Sequence, residues 1–153
     1  MRLRTATEQD VPVLAELYAG SVLALGPQLY DDDQVASWAA FASDTDAFRR
    51  FVLEPTTFVA EDETGILGFC GIFDDGHVAS LYVRPDRGRQ GIATQLLEAA
   101  LDYAVHQRIE FVNAHASGLS HPLFLKLGFK TVRTEVARRD SVSFERYLVE
   151  RRV

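Results

Sequence analysis

Cysteine is all but missing from this chain: Cys70 is the only one among 153 residues. A disulfide framework is therefore excluded, and a reducing, cytoplasmic setting is expected. Cys70 itself lies in a strand-like apolar run, where core packing is its expected role rather than nucleophilic chemistry. Long apolar runs are lacking too. None approaches the ~20 residues of a helical membrane span, so no membrane association is expected, and the opening MRLRTATEQD has no apolar stretch of the kind a secretory leader needs. Positive charge is in deficit: 22 acidic residues against 16 basic ones leave a net charge of −6. The broad basic surface of a nucleic-acid binder is thereby excluded. No repeat, low-complexity tract or linker interrupts the chain. With 47% hydrophobic residues, one domain over residues 1–153 can bury a full core.

Against that acidic background one basic stretch stands out, Val83–Ala93 (VRPDRGRQGIA). It follows HVASLYV, rich in β-branched and aromatic residues. It precedes apolar positions at Ile92, Leu96, Leu97, Ala100, Leu101 and Ala104, the spacing of an amphipathic helix. A strand feeding an Arg- and Gly-rich loop at a helix start is a candidate anion site, because the first N–H groups of a helix lack partners and its dipole favours negative charge. Arg84, Arg87 and Arg89 add charge, and Gly91 allows close approach. The spacing alone fits a solvated basic turn equally well.

The rest of the chain reads in order. Leu3–Ala6 suits a first strand. Asp10 is a candidate N-cap, with Pro12 in the first turn, and Leu14, Leu17, Tyr18, Ser21, Val22 and Leu25 mark one helical face up to Gly26-Pro27. Asp31–Asp33 opens a second helix carrying Val35, Trp38 and Phe41. Asp44–Leu53 forms a third, stopped at Pro55. Thr57–Glu61, Ile66–Phe73 and His77–Val83 read as three antiparallel strands joined by tight turns. After the long helix, to about Gln107, Ile109–Ala116 is a strand expected to run parallel to the one before the helix. Ser120 can cap a short helix closed by Gly128, and Phe129–Ala137 with Val142–Val149 completes the chain as a hairpin. The resulting order is an α/β sandwich with a mixed sheet, not a doubly wound one.

The loop, the strand before it and the PLFLKLGF stretch together resemble the GNAT superfamily of acyl-CoA-dependent N-acetyltransferases, across essentially the whole chain. The family motif Q/R-x-x-G-x-G/A falls on Gly88-Arg89-Gln90-Gly91-Ile92-Ala93, with Gly88 departing at the first position and Arg87 available one position earlier. Leu127-Gly128-Phe129 matches the family's late helix end. The resemblance implies a three-layer α+β sandwich: a mixed, mostly antiparallel sheet of about seven strands with helices on both faces. It implies acetyl-CoA as co-substrate, no metal, and a pyrophosphate held by the backbone of Arg89, Gln90, Gly91, Ile92, Ala93 and Thr94. The pantetheine arm would lie in a gap beside Leu81, Tyr82 and Val83, pairing like an added strand, with Asn113–Ser117 on the other side. An amide near Tyr82 or Val83 would polarise the thioester carbonyl.

For catalysis, His77 stands where some relatives that acetylate lysine carry a glutamate, and imidazole titrates in the range a general base needs. His115 and His121 are further candidates on the opposite wall of the cleft, and His106 reads as surface. Phe124 occupies the position of the family's usual tyrosine acid, which leaves Ser117, Ser120 or water to protonate the leaving thiolate. Ala79 replaces a frequent aspartate. The acceptor is expected to be a primary amine of a small molecule or peptide, acetylated directly in a ternary complex. It would be held by Leu25–Phe41 and Arg133–Phe144, where Tyr30, Trp38 and Phe41 either line an aromatic pocket or simply form the buried face of the second helix. Asp31–Asp33 either draws in an amine or caps that helix, while Arg133, Arg138 and Arg139 carry the opposite charge. The alternatives are a CoA-binding sensor that has lost catalysis and an acetyltransferase acting on protein N-termini or lysines. A homodimer is an open assembly state.

Overall fold

A computed structural model describes residues 1–153. Strand β1 (Arg2–Thr5) is followed by helices α1 (Val11–Leu25), α2 (Asp32–Ala40) and α3 (Thr45–Leu53). Strands β2 (Thr56–Asp62), β3 (Gly65–Ile72) and β4 (His77–Val83) come next. Helix α4 (Ile92–His106), strand β5 (Phe111–Ala116), helix α5 (His121–Lys126) and strands β6 (Lys130–Arg139) and β7 (Val142–Arg152) complete the chain. The seven strands form one sheet in the order β1-β2-β3-β4-β5-β7-β6. Only β4 and β5 pair in parallel, as a strand–helix–strand crossover demands. The expected sandwich is therefore the observed one, and no helix is long and apolar enough to cross a membrane.

Each face of the sheet carries its own core. On one side α4 lays down Ile92, Leu96, Leu97, Ala100, Leu101 and Ala104, all buried, against Leu67, Cys70, Val112 and Val149, with Phe124 of α5 completing the layer. On the other, Leu14, Leu17, Tyr18 and Val22 of α1 join Val35, Phe48 and Val52 over Val59 and Phe69. Both helical faces are those the 3.6-residue periodicity selects. Burial pushes the Cys70 thiol up to about 12, so it is a packing residue with no thiolate to offer.

Three local expectations change. Asp10 does not cap α1. Residues Glu8–Asp10 form a short 3-10 turn, and the Asp10 carboxylate instead accepts a forked pair from Arg4 at 2.8 and 2.9 Å and the Thr7 N–H at 2.7 Å. A bidentate guanidinium pair outweighs a single cap bond. Ser120 likewise makes no cap bond to α5; its hydroxyl accepts from the Ser117 N–H at 3.1 Å. The last hairpin is longer than expected, because β6 and β7 stay paired out to Arg139 and Val142. That leaves a two-residue turn in which Asp140 adopts φ +55°, the conformation such turns require.

Candidate active site

The site originates in a bulge. Along the β3–β4 ladder Ile72 faces Val78, but Gly71 already faces Ser80, so Ala79 is an extra residue on β4. A bulge bends its strand and increases local twist. Consequently β4 pairs with β5 only at His77↔Asn113 and Val78↔Ala114. From there the two strands diverge, and Leu81, Tyr82 and Val83 keep no partner on the β5 side, while β5 itself stays paired to β7 through Ala116. A cavity of about 600 Å³ opens in the gap. It runs from Ala93 at the start of α4, past Leu81–Val83 and Ser117–Ser120, to an aromatic end formed by Tyr18, Tyr30, Trp38 and Phe41.

At the α4 end the chain turns through two left-handed residues, Arg89 (φ +61°) and Gly91 (φ +79°). No backbone carbonyl accepts the N–H groups of Arg89, Gln90, Gly91, Ile92, Ala93 or Thr94; the first helical bond is donated by Gln95 to Gly91. A Cβ placed on Gly91 would meet nothing within 4 Å, so the outer face of this turn is open. The basic loop is less charged than its sequence suggests. Arg84 pairs with Asp86 at 2.8 Å. Arg87 pairs with Asp62 at 2.7 Å and donates to Gln90 at 3.0 Å, so it is not free to stand in for the side chain missing at Gly88. The Asp62 carboxyl is held near 2 by hydrogen bonds from Thr64, with Arg87 adding to the effect. Arg89 alone of the three makes no ion pair.

Around the middle of the cavity, His77 Nδ1 lies 2.6 Å from Asn113 Oδ1, and the His77 and His115 rings are 5.2 Å apart. With Asn113 accepting, Nδ1 carries the proton and Nε2 keeps a lone pair. The parallel register that aligns His77 with Asn113 is what makes this contact. The His115 imidazole is lowered by partial burial and by the charges of Arg146 and His77, against the opposing pull of Glu135. Its Nε2 stands 3.5 Å from Glu135, whose carboxyl is itself held down chiefly by the Arg133 hydrogen bond. His121 is not part of the cavity. It stacks on Tyr147 at 4.0 Å and bonds Thr131 at 2.8 Å, because α5 turns that side chain onto β6 and β7. Ser117 and Ser120 are linked through their hydroxyls at 3.2 Å. Phe124, packed edge-on against Phe129, also lines the cavity and brings no hydroxyl to it.

The aromatic end joins α1, α2 and β4. Trp38 Nε1 donates to the Tyr82 hydroxyl at 3.3 Å, and Tyr18 donates to the Trp38 carbonyl at 3.2 Å. Burial pushes both phenols up, and for Tyr18 the charge of Arg139 works against that rise. Trp38 and Phe41 are thus both core and wall: each is half-buried against Tyr18 or Tyr82 and also lines the cavity. Phe41 belongs to the turn after α2 rather than to the helix. The Tyr30 hydroxyl accepts from the Gly118 N–H at 2.9 Å, and Gln34 donates to the Ser143 carbonyl at 2.8 Å, closing the roof. The acidic triplet lies outside. Asp31 caps α2 by accepting from Gln34 at 2.8 Å, and none of the three aspartates lines the cavity. Arg138, Arg139, Glu145 and Arg146 do line it, whereas Arg133 does not. Asn113 and Tyr18 are the residues whose part the sequence hides: one depends on β4–β5 register, the other reads as ordinary helical core. No group of three or more His, Cys, Asp or Glu side chains is disposed to hold a metal ion.

Comparison with known proteins gives one consistent result. Residues 28–150 match the family model described as an acetyltransferase (GNAT) domain. The chain is 31% identical over 109 residues to GCN5-related N-acetyltransferase 6, chloroplastic, of Arabidopsis thaliana, a match that takes in 66% of this chain and 37% of that relative. It spans well under half of the relative's length. Among solved structures, a GCN5-related N-acetyltransferase from Rhodopseudomonas palustris superposes with a TM-score of 0.96 at 22% identity, covering 99% of this chain and 95% of the other. The PaiA N-acetyltransferase of Thermoplasma acidophilum in complex with coenzyme A gives a TM-score of 0.78 at 16% identity, covering 99% and 98%. At these identities the structural likeness speaks to the fold, and the family model to descent. The chain belongs to the GNAT acetyltransferase family.

Proposed function

We propose that this protein transfers the acetyl group of acetyl-CoA to a primary amine of a small molecule or peptide, the amine attacking directly while both substrates are bound. The observation that carries this reading is the meeting of the β4–β5 gap with six unpartnered N–H groups at the start of α4. Those six amides, of Arg89 through Thr94, suit a pyrophosphate, with the unpaired Arg89 side chain beside them. The free edge at Leu81, Tyr82 and Val83 suits the amide-bearing pantetheine arm, with Ser117 on the facing wall. The Thermoplasma structure, which holds coenzyme A on the same fold, supports this assignment. Bound acetyl-CoA supplies an activated acyl carbon and a thiol leaving group.

The chain's own groups then have separable tasks. The Val83 amide, which strand alternation turns away from β3, would stabilise negative charge on the acyl oxygen. His77, oriented by Asn113, takes the proton of the incoming ammonium at Nε2, directly or through one water. The Ser117–Ser120 hydroxyl pair offers the proton that Phe124 cannot. Holding both substrates in one 600 Å³ cavity supplies proximity, which in acyl transfer is itself a large share of the rate. We place the protein in the cytoplasm on its single, buried cysteine.

Titration calorimetry with acetyl-CoA and CoA tests the donor half: failure to bind either overturns the reading. Thiol release on a panel of primary amines tests the transfer, since a CoA sensor releases thiol with none. In the His77→Ala variant the limb of the pH–rate profile that reports the base should vanish; an unchanged profile removes His77 from the mechanism.

A further inference from the structure

The proposed reaction leaves the acceptor's chemistry open, and the far end of the cavity speaks to it. Three arginines and one glutamate line the cavity of a protein whose net charge is −6. Of those four charges, only Arg146 is paired within the protein, with Glu135 at 3.2 Å. Glu145 accepts from the Tyr147 hydroxyl at 2.9 Å but keeps its charge. Arg138 and Arg139 take part in no ion pair of the protein. Arg139 is exposed, and its guanidinium carbon lies over the Phe41 ring, 5.1 Å from the centroid, a cation–π contact that leaves its charge unneutralised.

We infer that the acceptor carries a carboxylate as well as its amine, and that Arg139, seated on Phe41, is the group that receives that carboxylate. A guanidinium beside an aromatic ring still has N–H groups to offer, and two parallel N–H groups match the two oxygens of a carboxylate. The neighbouring walls are apolar and aromatic, with Val22, Trp38 and Phe51, so the rest of the acceptor is an apolar or aromatic body. Arg138 and Arg139 outnumber Glu145, so a purely cationic acceptor, such as an unsubstituted polyamine, would meet an excess of positive charge instead. Free amino acids and short peptides with a free C-terminus share this chemistry.

The inference rests on the acetyltransferase reading, but its test has a readout independent of turnover. L-phenylalanine, L-methionine and glycyl-L-phenylalanine are each compared with their carboxamides, first by calorimetric binding to the CoA-bound protein and then by thiol release with acetyl-CoA. The carboxylate form of at least one pair should bind and react about tenfold or more better than its amide; the amino acids and the dipeptide then separate the two sources. Arg139→Gln should bring that ratio close to one, and Arg139→Lys should restore part of it. CoA affinity in both variants confirms that the fold and the donor half persist. Carboxylate-selective binding that Arg139→Gln abolishes, with no thiol release from these probes or from any primary amine of the panel, would leave Arg139 as a carboxylate site and sink the acetyltransferase reading. Equal treatment of every acid–amide pair by the wild-type protein would overturn the inference and leave acetyl transfer standing, as would an Arg139→Gln ratio equal to that of the wild type.

Discussion

Gly76 closes the turn between β3 and β4, directly beneath the point where β5 begins. Its φ is +93°, and a Cβ built on it would sit 2.3 Å from the Phe111 carbonyl oxygen and 2.9 Å from the Ile109 side chain. Gly76→Ala therefore meets two penalties. The positive φ costs a non-glycine residue about 1–2 kcal/mol. Ordinary C···O contacts are roughly 3.3–3.6 Å, so the β5 backbone must retreat by about 1 Å, an overpacking change that typically costs about 1–3 kcal/mol. The sum, roughly 2–5 kcal/mol, should appear in urea unfolding monitored by circular dichroism, and as a drop in melting temperature of roughly 4–20 °C for a domain of this size. The damage falls on a particular place, since Asn113 donates to the Gly76 carbonyl at 3.0 Å and also orients His77. Gly20→Ala is the matched control: it lies inside α1 and its added Cβ meets nothing within 4 Å. That substitution should stabilise by about 0.5–1 kcal/mol, as alanine does for glycine within a helix. A Gly76→Ala protein within about 0.5 kcal/mol of the wild type, the scatter of uneventful substitutions, would refute the reasoning.

Asp10 is held near 2 chiefly by the Arg4 hydrogen bonds. A depressed folded-state value means the stabilisation is full above the unfolded carboxylate range, near 4, and is lost as pH falls through 2. Urea unfolding between pH 6 and pH 2 should show the wild type losing about 1–2 kcal/mol more than Asp10→Asn over that window; parallel curves would exclude the pair as a source. In the loop before α4, the proposed pyrophosphate site, Arg89→Ala should weaken CoA binding by about tenfold at low salt, the scale of one charge-assisted contact, while Arg84→Ala, whose partner is Asp86, should change it far less. Equal losses measured by calorimetry would mean the Arg84 pair opens to the ligand. Tyr82→Phe removes the acceptor of the Trp38 N–H and should cost about 1–2 kcal/mol of stability, visible by thermal melting, with amine KM affected more than CoA affinity.

What the sequence discloses here follows from the range of each interaction. Helix faces such as Ile92–Ala104 and the motif loop at Gly88–Ala93 are local patterns, and the structure places them as the periodicity and spacing require. Whatever depends on one element meeting another is hidden. Nothing in HVASLYV announces that Ala79 is a bulge residue, yet that residue opens the gap on which the site depends. Nor can spacing reveal that Arg84 and Arg87 are neutralised by Asp86 and by Asp62, the latter 25 residues away, so three loop charges reduce to one. The histidines were separable only by topology. His77 and His115 come together across the parallel pair, whereas His121, six positions beyond His115, is turned outward to Tyr147. Asp31–Asp33 illustrates the converse case, where the local reading as a helix start was sufficient.

The two halves of the site also rest on different cores, and β4 is the strand that joins them. Leu81 and Val83 pack toward the α4 layer, while Tyr82 between them packs toward the α1–α3 layer, as the alternation of side chains along a strand dictates. On the proposed assignment, the side chains of Leu81 and Val83 tie the donor edge to one core, and the Tyr82 side chain ties the proposed acceptor wall to the other. Gly68 sets the distance between β4 and its neighbour: a Cβ there would lie 2.7 Å from the Tyr82 carbonyl and 3.0 Å from Leu96 of α4. Any larger residue must displace both Tyr82 and α4, shifting the proposed acceptor wall and the proposed donor helix in one movement. A core substitution confined to one layer, such as Leu97→Ala or Phe48→Ala, lacks that link. Leu97→Ala should disturb CoA affinity first, Phe48→Ala the amine KM first, and Gly68→Ala both at once. Calorimetry and steady-state kinetics on the three variants, at a temperature where all remain folded, discriminate this division from a single continuous core, in which all three would shift both quantities alike.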